Sequence, residues 1–150
     1  MSTLSIELLR PAVALKPGWR ILYDSYATFY KRTMTDAIAE NVWGWITDDK
    51  HELEGIIAVA HGQPVGLSHY RRMPSPLRGA DIGFLDDMFI SPEARGQGIA
   101  QKMFEHLRET AAERGWDMIR WITADDNYRA RGIYDKVASK GIWNTYEMKI

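Results

Sequence analysis

The segment Ser91 to Ala100, read SPEARGQGIA, places glycines at 96 and 98 directly before an amphipathic stretch. A loop that enters a helix there points several backbone N–H groups, and the positive end of the helix dipole, at one spot. Phosphate oxygens suit such a spot, and glycines let an anion approach without a Cβ in the way. A plain tight turn uses the same two glycines, so the loop alone leaves both readings open. Two other phosphate loops do not fit. A Walker loop ends in Gly-Lys-Ser/Thr, whereas Ile99 and Ala100 come after Gly98, and the dinucleotide fingerprint needs a third spaced glycine. The other residues with chemical potential are the paired acids Asp86 and Asp87 and a tyrosine, Tyr134. His51, His61 and His106 show no ligand spacing with acids, so no metal is expected.

The loop must be positioned by flanking elements. Leu4 to Arg10 alternates weakly, as an edge strand does, and Pro11 and Pro17-Gly18 punctuate the next stretch of chain. Trp19, Leu22, Tyr23, Tyr26 and Tyr30 recur at helical spacing, and Ile38, Val42 and Trp45 mark a second helix over 35–45, capped by Thr35 or Asp36. Gly55 to Ala60 and Val65 to Tyr70 read as a hairpin about His61-Gly62-Gln63-Pro64. Met73-Pro74-Ser75-Pro76 with Arg78-Gly79 reads as loop, and Asp81 to Ile90 as the next strand. Ile99, Met103, Phe104, Leu107 and Ala111 line one side of a helix that Gly115 stops. Trp116 to Thr123 reads as a strand. Asp125-Asp126-Asn127 offers caps for a last helix carrying Ala130, Ile133, Tyr134 and Val137, and Trp143 to Ile150 reads as a closing strand. Strand-helix alternation after a hairpin implies a mixed α/β sheet.

Bulk properties bound the partners. The chain has 150 residues, 45% of them hydrophobic and 26% charged, which fits one globular domain over residues 1–150. With 19 basic and 20 acidic side chains, nothing in the charge balance asks for nucleic acid. There is no cysteine, hence no disulfide framework. No apolar run reaches the roughly 18 residues of a membrane span, and the first residues lack a signal-peptide pattern, so a cytoplasmic domain without membrane association is expected.

Ile90-Ser91-Pro92-Glu93-Ala94-Arg95-Gly96-Gln97-Gly98-Ile99-Ala100 after a strand resembles the acetyl-coenzyme A signature of the GCN5-related N-acetyltransferases. Asn127, Ala130 and Tyr134 on the next helix are similar to that family's second signature. The aromatic pattern of Trp19, Tyr26 and Phe29-Tyr30 resembles the branch of yeast histone and D-amino-acid acetyltransferases, and Leu85 to Ile90 resembles the polyamine acetyltransferases, in which the first acid is usually Glu. The resemblance implies a mostly antiparallel mixed sheet, splayed at its middle, in the order β-α-α-β-β-β-α-β-α-β. It implies that Met88, Phe89 and Ile90 meet the pantetheine arm, and that Arg95, Gly96, Gln97, Gly98, Ile99, Ala100 and Gln101 hold the pyrophosphate. Asn127 and Ala130 would contact the pantetheine, and the Tyr134 hydroxyl would lie near the thioester sulfur. A homodimer built through the closing strand is likewise implied only by the family.

The implied reaction moves acetyl from acetyl-coenzyme A to a primary amine: a small amine, an amino acid or a protein lysine. Freeing an alkylammonium of its proton at pH 7 costs about 4.6 kcal/mol, so a carboxylate that takes the proton is useful. Strand alternation is expected to send Asp86 and Asp87 to opposite faces, and motif position selects Asp86 as base. Tyr134 is the acid that protonates the departing thiolate, or a packed tyrosine; both stand at this point. Direct attack in a ternary complex is the leading expectation; without cysteine there is no acyl-thioenzyme, so a covalent route would have to use another nucleophile. The alternatives are a non-catalytic acyl-coenzyme A sensor and a nucleotide-phosphate binder. Tyr26, Phe29, Tyr30, Trp43 and Trp45 either wall the acceptor site or pack the first helices. Arg129 and Arg131 either meet the coenzyme's phosphates or flank a solvated helix.

Overall fold

The computed structural model describes residues 5–150, so Leu4, where the first strand is expected to start, lies outside the described residues. Strand β1 (Ile6–Leu9) leads into helices α1 (Lys16–Phe29) and α2 (Asp36–Ile46). Strands β2 (Leu53–Ala60), β3 (Gln63–Ser75) and β4 (Ala80–Ile90) come next, then helix α3 (Ile99–Arg114), strand β5 (Ile119–Arg120) and helix α4 (Tyr128–Val137). The five strands form one sheet in chain order, antiparallel except for the parallel pair β4–β5.

Local chemistry accounts for most boundaries. Helix α1 begins before Trp19 because Pro17 is tolerated in a first turn, where its missing N–H has no partner to lose. Gly18 then lets the helix close on β3, since a Cβ there would sit 2.5 Å from Cγ of Pro64. Thr35 caps α2 by accepting the Ile38 N–H at 3.2 Å. Gly115, at φ 73°, ends α3 in the left-handed region. One core joins α1 and α2 to the sheet through Trp19, Leu22, Val42, Ile57 and Leu67. On the other face α3 buries Phe104 and Leu107 against Ile56, Tyr70 and Leu85.

Three expectations need correction. Met73 to Ser75 is strand, because β3 runs on to pair Ser75 with Ala80 and the turn tightens to residues 76–79. The strand expected over 116–123 shrinks to Ile119–Arg120, since Trp116 instead packs into the core beneath α3. Trp143 to Ile150 forms no strand and is exposed throughout, so β5 is the sheet's edge. The splay survives this change. β4 and β5 pair only at Gly83–Ile119 and Phe84–Arg120, and β4 continues from Leu85 to Ile90 with that edge unpaired among the described residues.

Candidate functional site

The end of β4, the loop after it and α4 enclose a cavity of about 430 Å³. Met88, Phe89 and Ile90 contribute the strand, and Arg95, Gly96 and Gly98 the loop. Ile99, Ala100 and Gln101 contribute the first turn of α3, and Asn127, Ala130 and Tyr134 contribute α4. Of the residues expected at the coenzyme, only Gln97 is not among the lining residues; it is exposed at the loop's tip.

The loop shows why its glycines are needed. Gly96 and Gly98 have φ of 79° and 80°, a region costly for a residue with Cβ, and open space lies where a Cβ would project. Gly98 is the N-cap of α3 and offers no side-chain cap. The first bond of the helix runs from the Lys102 N–H to the Gly98 carbonyl at 3.2 Å, so the amides of Ile99 to Gln101 are left over at the cavity wall. Uncapped amides at a helix N-terminus attract an anion. Arg95 braces the loop by donating Nε–H to the Ile90 carbonyl at 3.2 Å and lying over the Phe89 ring. Burial, followed by the nearby charge of Arg129, lowers the Arg95 pKa. Arg129 lines the cavity, whereas Arg131 turns to the Asp125 carbonyl at 2.7 Å.

On α4, Asn127 accepts the Ala130 N–H at 3.4 Å and so caps the helix it begins. Tyr134 packs edge-on against Trp121 and Phe104, and burial, with a smaller contribution from Tyr30, pushes its hydroxyl up to about 12. That hydroxyl therefore keeps its proton at neutral pH. Tyr26, Phe29 and Tyr30 at the end of α1 line the same cavity, while Trp43 is core and Trp45 stacks on His51 at the surface. Sequence spacing alone did not separate these aromatic residues; their helix faces do.

The paired acids depart from the alternation rule. His69 pairs with Asp87 and Tyr70 with Leu85, leaving Asp86 without a partner in a β-bulge. Asp87 consequently meets His69 and Asp86 meets Arg71, two residues apart on β3 and so on one face, instead of parting to opposite faces. Asp86 bonds the Arg71 Nε at 2.9 Å; burial raises its pKa, and Arg71 only partly offsets that. It does not line the cavity itself. Asp87 is also raised by burial, but hydrogen bonds from His69 and from the hydroxyls of Tyr26 and Tyr23 outweigh this and hold it low. Asp87 Oδ2 takes the Tyr23 hydroxyl at 3.0 Å and lies 2.8 Å from His69 Nδ1. No grouping of three or more potential metal ligands occurs among the described residues.

A mixed, mostly antiparallel sheet with helices on both faces and a splayed edge between β4 and β5 is an open α/β fold. Residues 19–138 match the Acetyltransferase (GNAT) family, and the chain belongs to that family. It is 27% identical over 125 residues to the D-amino-acid N-acetyltransferase HPA3 of Saccharomyces cerevisiae, covering 82% of this chain and 78% of that one. To the thialysine N-epsilon-acetyltransferase of Bos taurus it is 32% identical over 97 residues, covering 61% of this chain and only 56% of the relative's length. The fold superposes on an aminoglycoside N-acetyltransferase, AAC(6')-Iy, solved in complex with CoA, with a TM-score of 0.82 at 16% identity over 97% of this chain and 95% of the other. The protein is an acyltransferase enzyme.

Proposed function

We propose that this enzyme transfers acetyl from acetyl-coenzyme A to a primary amine by direct attack in a ternary complex. The observation that carries the reading is the convergence of β4, the uncapped start of α3 and Tyr134 on one cavity. The residues present fit the coenzyme. Ile99 to Gln101 hold free amides for its pyrophosphate, Gly96 and Gly98 keep the approach clear, and the unpaired edge at Met88 to Ile90 offers backbone groups to an amide-bearing arm. Arg129 at the rim supplies positive charge. Acetyl-coenzyme A supplies an activated thioester carbonyl.

The chain's own residues handle two protons. Asp86 takes the proton of the acceptor's ammonium, directly or through a water, and passes it to solvent; the freed nitrogen lone pair forms the new C–N bond, the C–S bond breaks, and the nitrogen's second proton also leaves to solvent. Burial favours that role, because a carboxyl with a raised pKa binds a proton more readily. The sulfur's new electron pair takes the hydroxyl proton of Tyr134. With Tyr134 near 12 and a free thiol near 8.5, full transfer is uphill by about 5 kcal/mol. Tyr134 therefore works first as a hydrogen-bond donor to the developing thiolate, and the proton moves as the charge grows.

The acceptor is a cationic small amine, an amino acid or a lysine side chain, in keeping with relatives named for D-amino acids and thialysine. A thiol-release screen with acetyl-coenzyme A against thialysine, 1,4-diaminobutane, D-alanine and a lysine peptide tests the reading. No release with any of them, with acetyl-coenzyme A bound, would defeat it. A cytoplasmic location and a homodimer complete the proposal. No helix among the described residues is long and apolar enough to cross a membrane. The exposed Ile142, Trp143, Tyr146 and Met148 offer an apolar surface to a second copy. Cell fractionation and light scattering at micromolar concentration test the two.

A further inference from the structure

Helix α1 closes in a turn made by two bonds. The Lys31 N–H bonds the Thr28 carbonyl at 2.9 Å, and the Arg32 N–H bonds the Ala27 carbonyl at 2.8 Å. Such a turn needs a left-handed residue just past the helix, normally glycine. Here that residue is Lys31, at φ 56°, a region costly for a side chain with a Cβ. Backbone strain of this kind gathers at functional sites. Its neighbour Tyr30, the last residue before the reversal, is held in place by the turn and lines the coenzyme cavity.

The Tyr30 ring sits edge-on to Tyr26 at 5.0 Å and to Phe29 at 5.1 Å, so its direction is set. Burial and then Asp87 raise the Tyr26 pKa, burial raises that of Tyr134, and Tyr30 adds to both. Tyr26 and Tyr134 do not act on each other in this way. Tyr30 therefore stands between them, with Asp87 beyond Tyr26. Among the described residues no hydrogen bond reaches the Tyr30 or the Tyr134 hydroxyl, yet Ser68 Oγ is the sole buried polar side-chain atom without a partner. Both hydroxyls consequently open onto the cavity. Their order matches the order of the reacting atoms. Tyr134 serves the sulfur, the acceptor's nitrogen comes from the side of the acids, and the group between them meets the carbonyl.

We propose that the Tyr30 hydroxyl donates a hydrogen bond to the thioester carbonyl oxygen and stabilises the charge that gathers there as the amine attacks. This rests on the acetyl-transfer reading and adds a catalytic residue to it. Tyr30 keeps its proton throughout: the C=O π pair moves onto oxygen as the C–N bond forms, and returns when the C–S bond breaks. A donor fixed beforehand beside Phe29, Phe89 and Ile133 acts where little water competes for the bond. Two tyrosines thus serve the two atoms that gain charge, Tyr30 the oxygen and Tyr134 the sulfur.

The bond can be observed without turnover. Carbon-13 NMR of acetyl-coenzyme A labelled at the acetyl carbonyl, bound to wild-type enzyme with no acceptor present, shows a resonance downfield of the free thioester. Tyr30→Phe keeps the ring and its contacts with Tyr26 and Phe29, and returns the resonance toward the free position; Tyr134→Phe does not. Calorimetry shows an unchanged affinity of Tyr30→Phe for coenzyme A, which lacks the acetyl carbonyl, while kcat falls about 10²-fold, the loss expected for one such donor. A resonance identical in wild type and Tyr30→Phe overturns the proposal, as does an equal return in both variants. A raised acceptor KM at unchanged kcat overturns it by placing Tyr30 on the acceptor, and a coenzyme A affinity that falls as far as kcat does so by making Tyr30 a packing residue. Failure of wild-type enzyme to bind acetyl-coenzyme A defeats the acetyl-transfer reading itself, and the role of Tyr30 with it; an unmoved resonance on bound acetyl-coenzyme A defeats the role of Tyr30 alone.

Discussion

Arg71 Nε lies 2.9 Å from Asp86 Oδ2, with its guanidinium over the Phe84 ring at 4.8 Å. The contact opposes burial, which raises the Asp86 pKa. Arg71→Leu removes a lowering influence, so the acid limb of the kcat/KM–pH profile should move to higher pH. Asp86→Asn should abolish that limb and cut turnover by about 10²-fold or more. A profile unmoved by either change excludes Asp86 as base.

Tyr134 is held at the cavity by Trp121 and Phe104, contacts that a phenylalanine keeps. Tyr134→Phe should therefore lower kcat about 10²- to 10³-fold while calorimetry shows unchanged affinity for coenzyme A. Undiminished turnover at saturating substrate would make the residue a packing tyrosine only.

Gly98 caps α3 at φ 80° with nothing within 4 Å of a built Cβ. Gly98→Ala meets no clash, so its cost is conformational, about 1–2 kcal/mol. Urea unfolding should show that loss. A stability equal to wild type would mean the loop had changed conformation.

Gly132 lies in α4, exposed, with open space around it. Gly132→Ala should stabilise the protein by up to about 1 kcal/mol, from the helix propensity difference and the restricted unfolded chain. The same unfolding experiment measures it, and destabilisation would point to a close approach made only with substrate bound.

Legibility tracked the range of the contacts involved. Pro17-Gly18, read as punctuation, is a helix start pressed against Pro64, a contact 46 residues away in the chain. Met73 to Ser75 carries a proline and looks like loop, yet strand pairing to Asp81 and Ala80 overrides that preference. Trp143 to Ile150 has a strand-like pattern but finds no partner edge, and a strand needs one. His69 gains its partners only on folding, from Trp19 and Asp87, 50 and 18 residues distant.

The sequence by itself determined the parts whose physics is local. The glycines before α3, the cap at Asn127, the helical faces carrying Leu107 and Tyr134, and the strand ending at Ile90 all result from backbone sterics, capping and hydrophobic period. Those were enough to place a glycine loop and a tyrosine on one cavity. The tertiary structure alone decided how the two acids are partnered. A bulge at Asp86 is a property of register between two strands, and the hydrogen bond at His69 Nε2 comes from an indole on α1. Neither leaves a trace in residue spacing, because each is set by pairing between segments that the chain brings together only on folding.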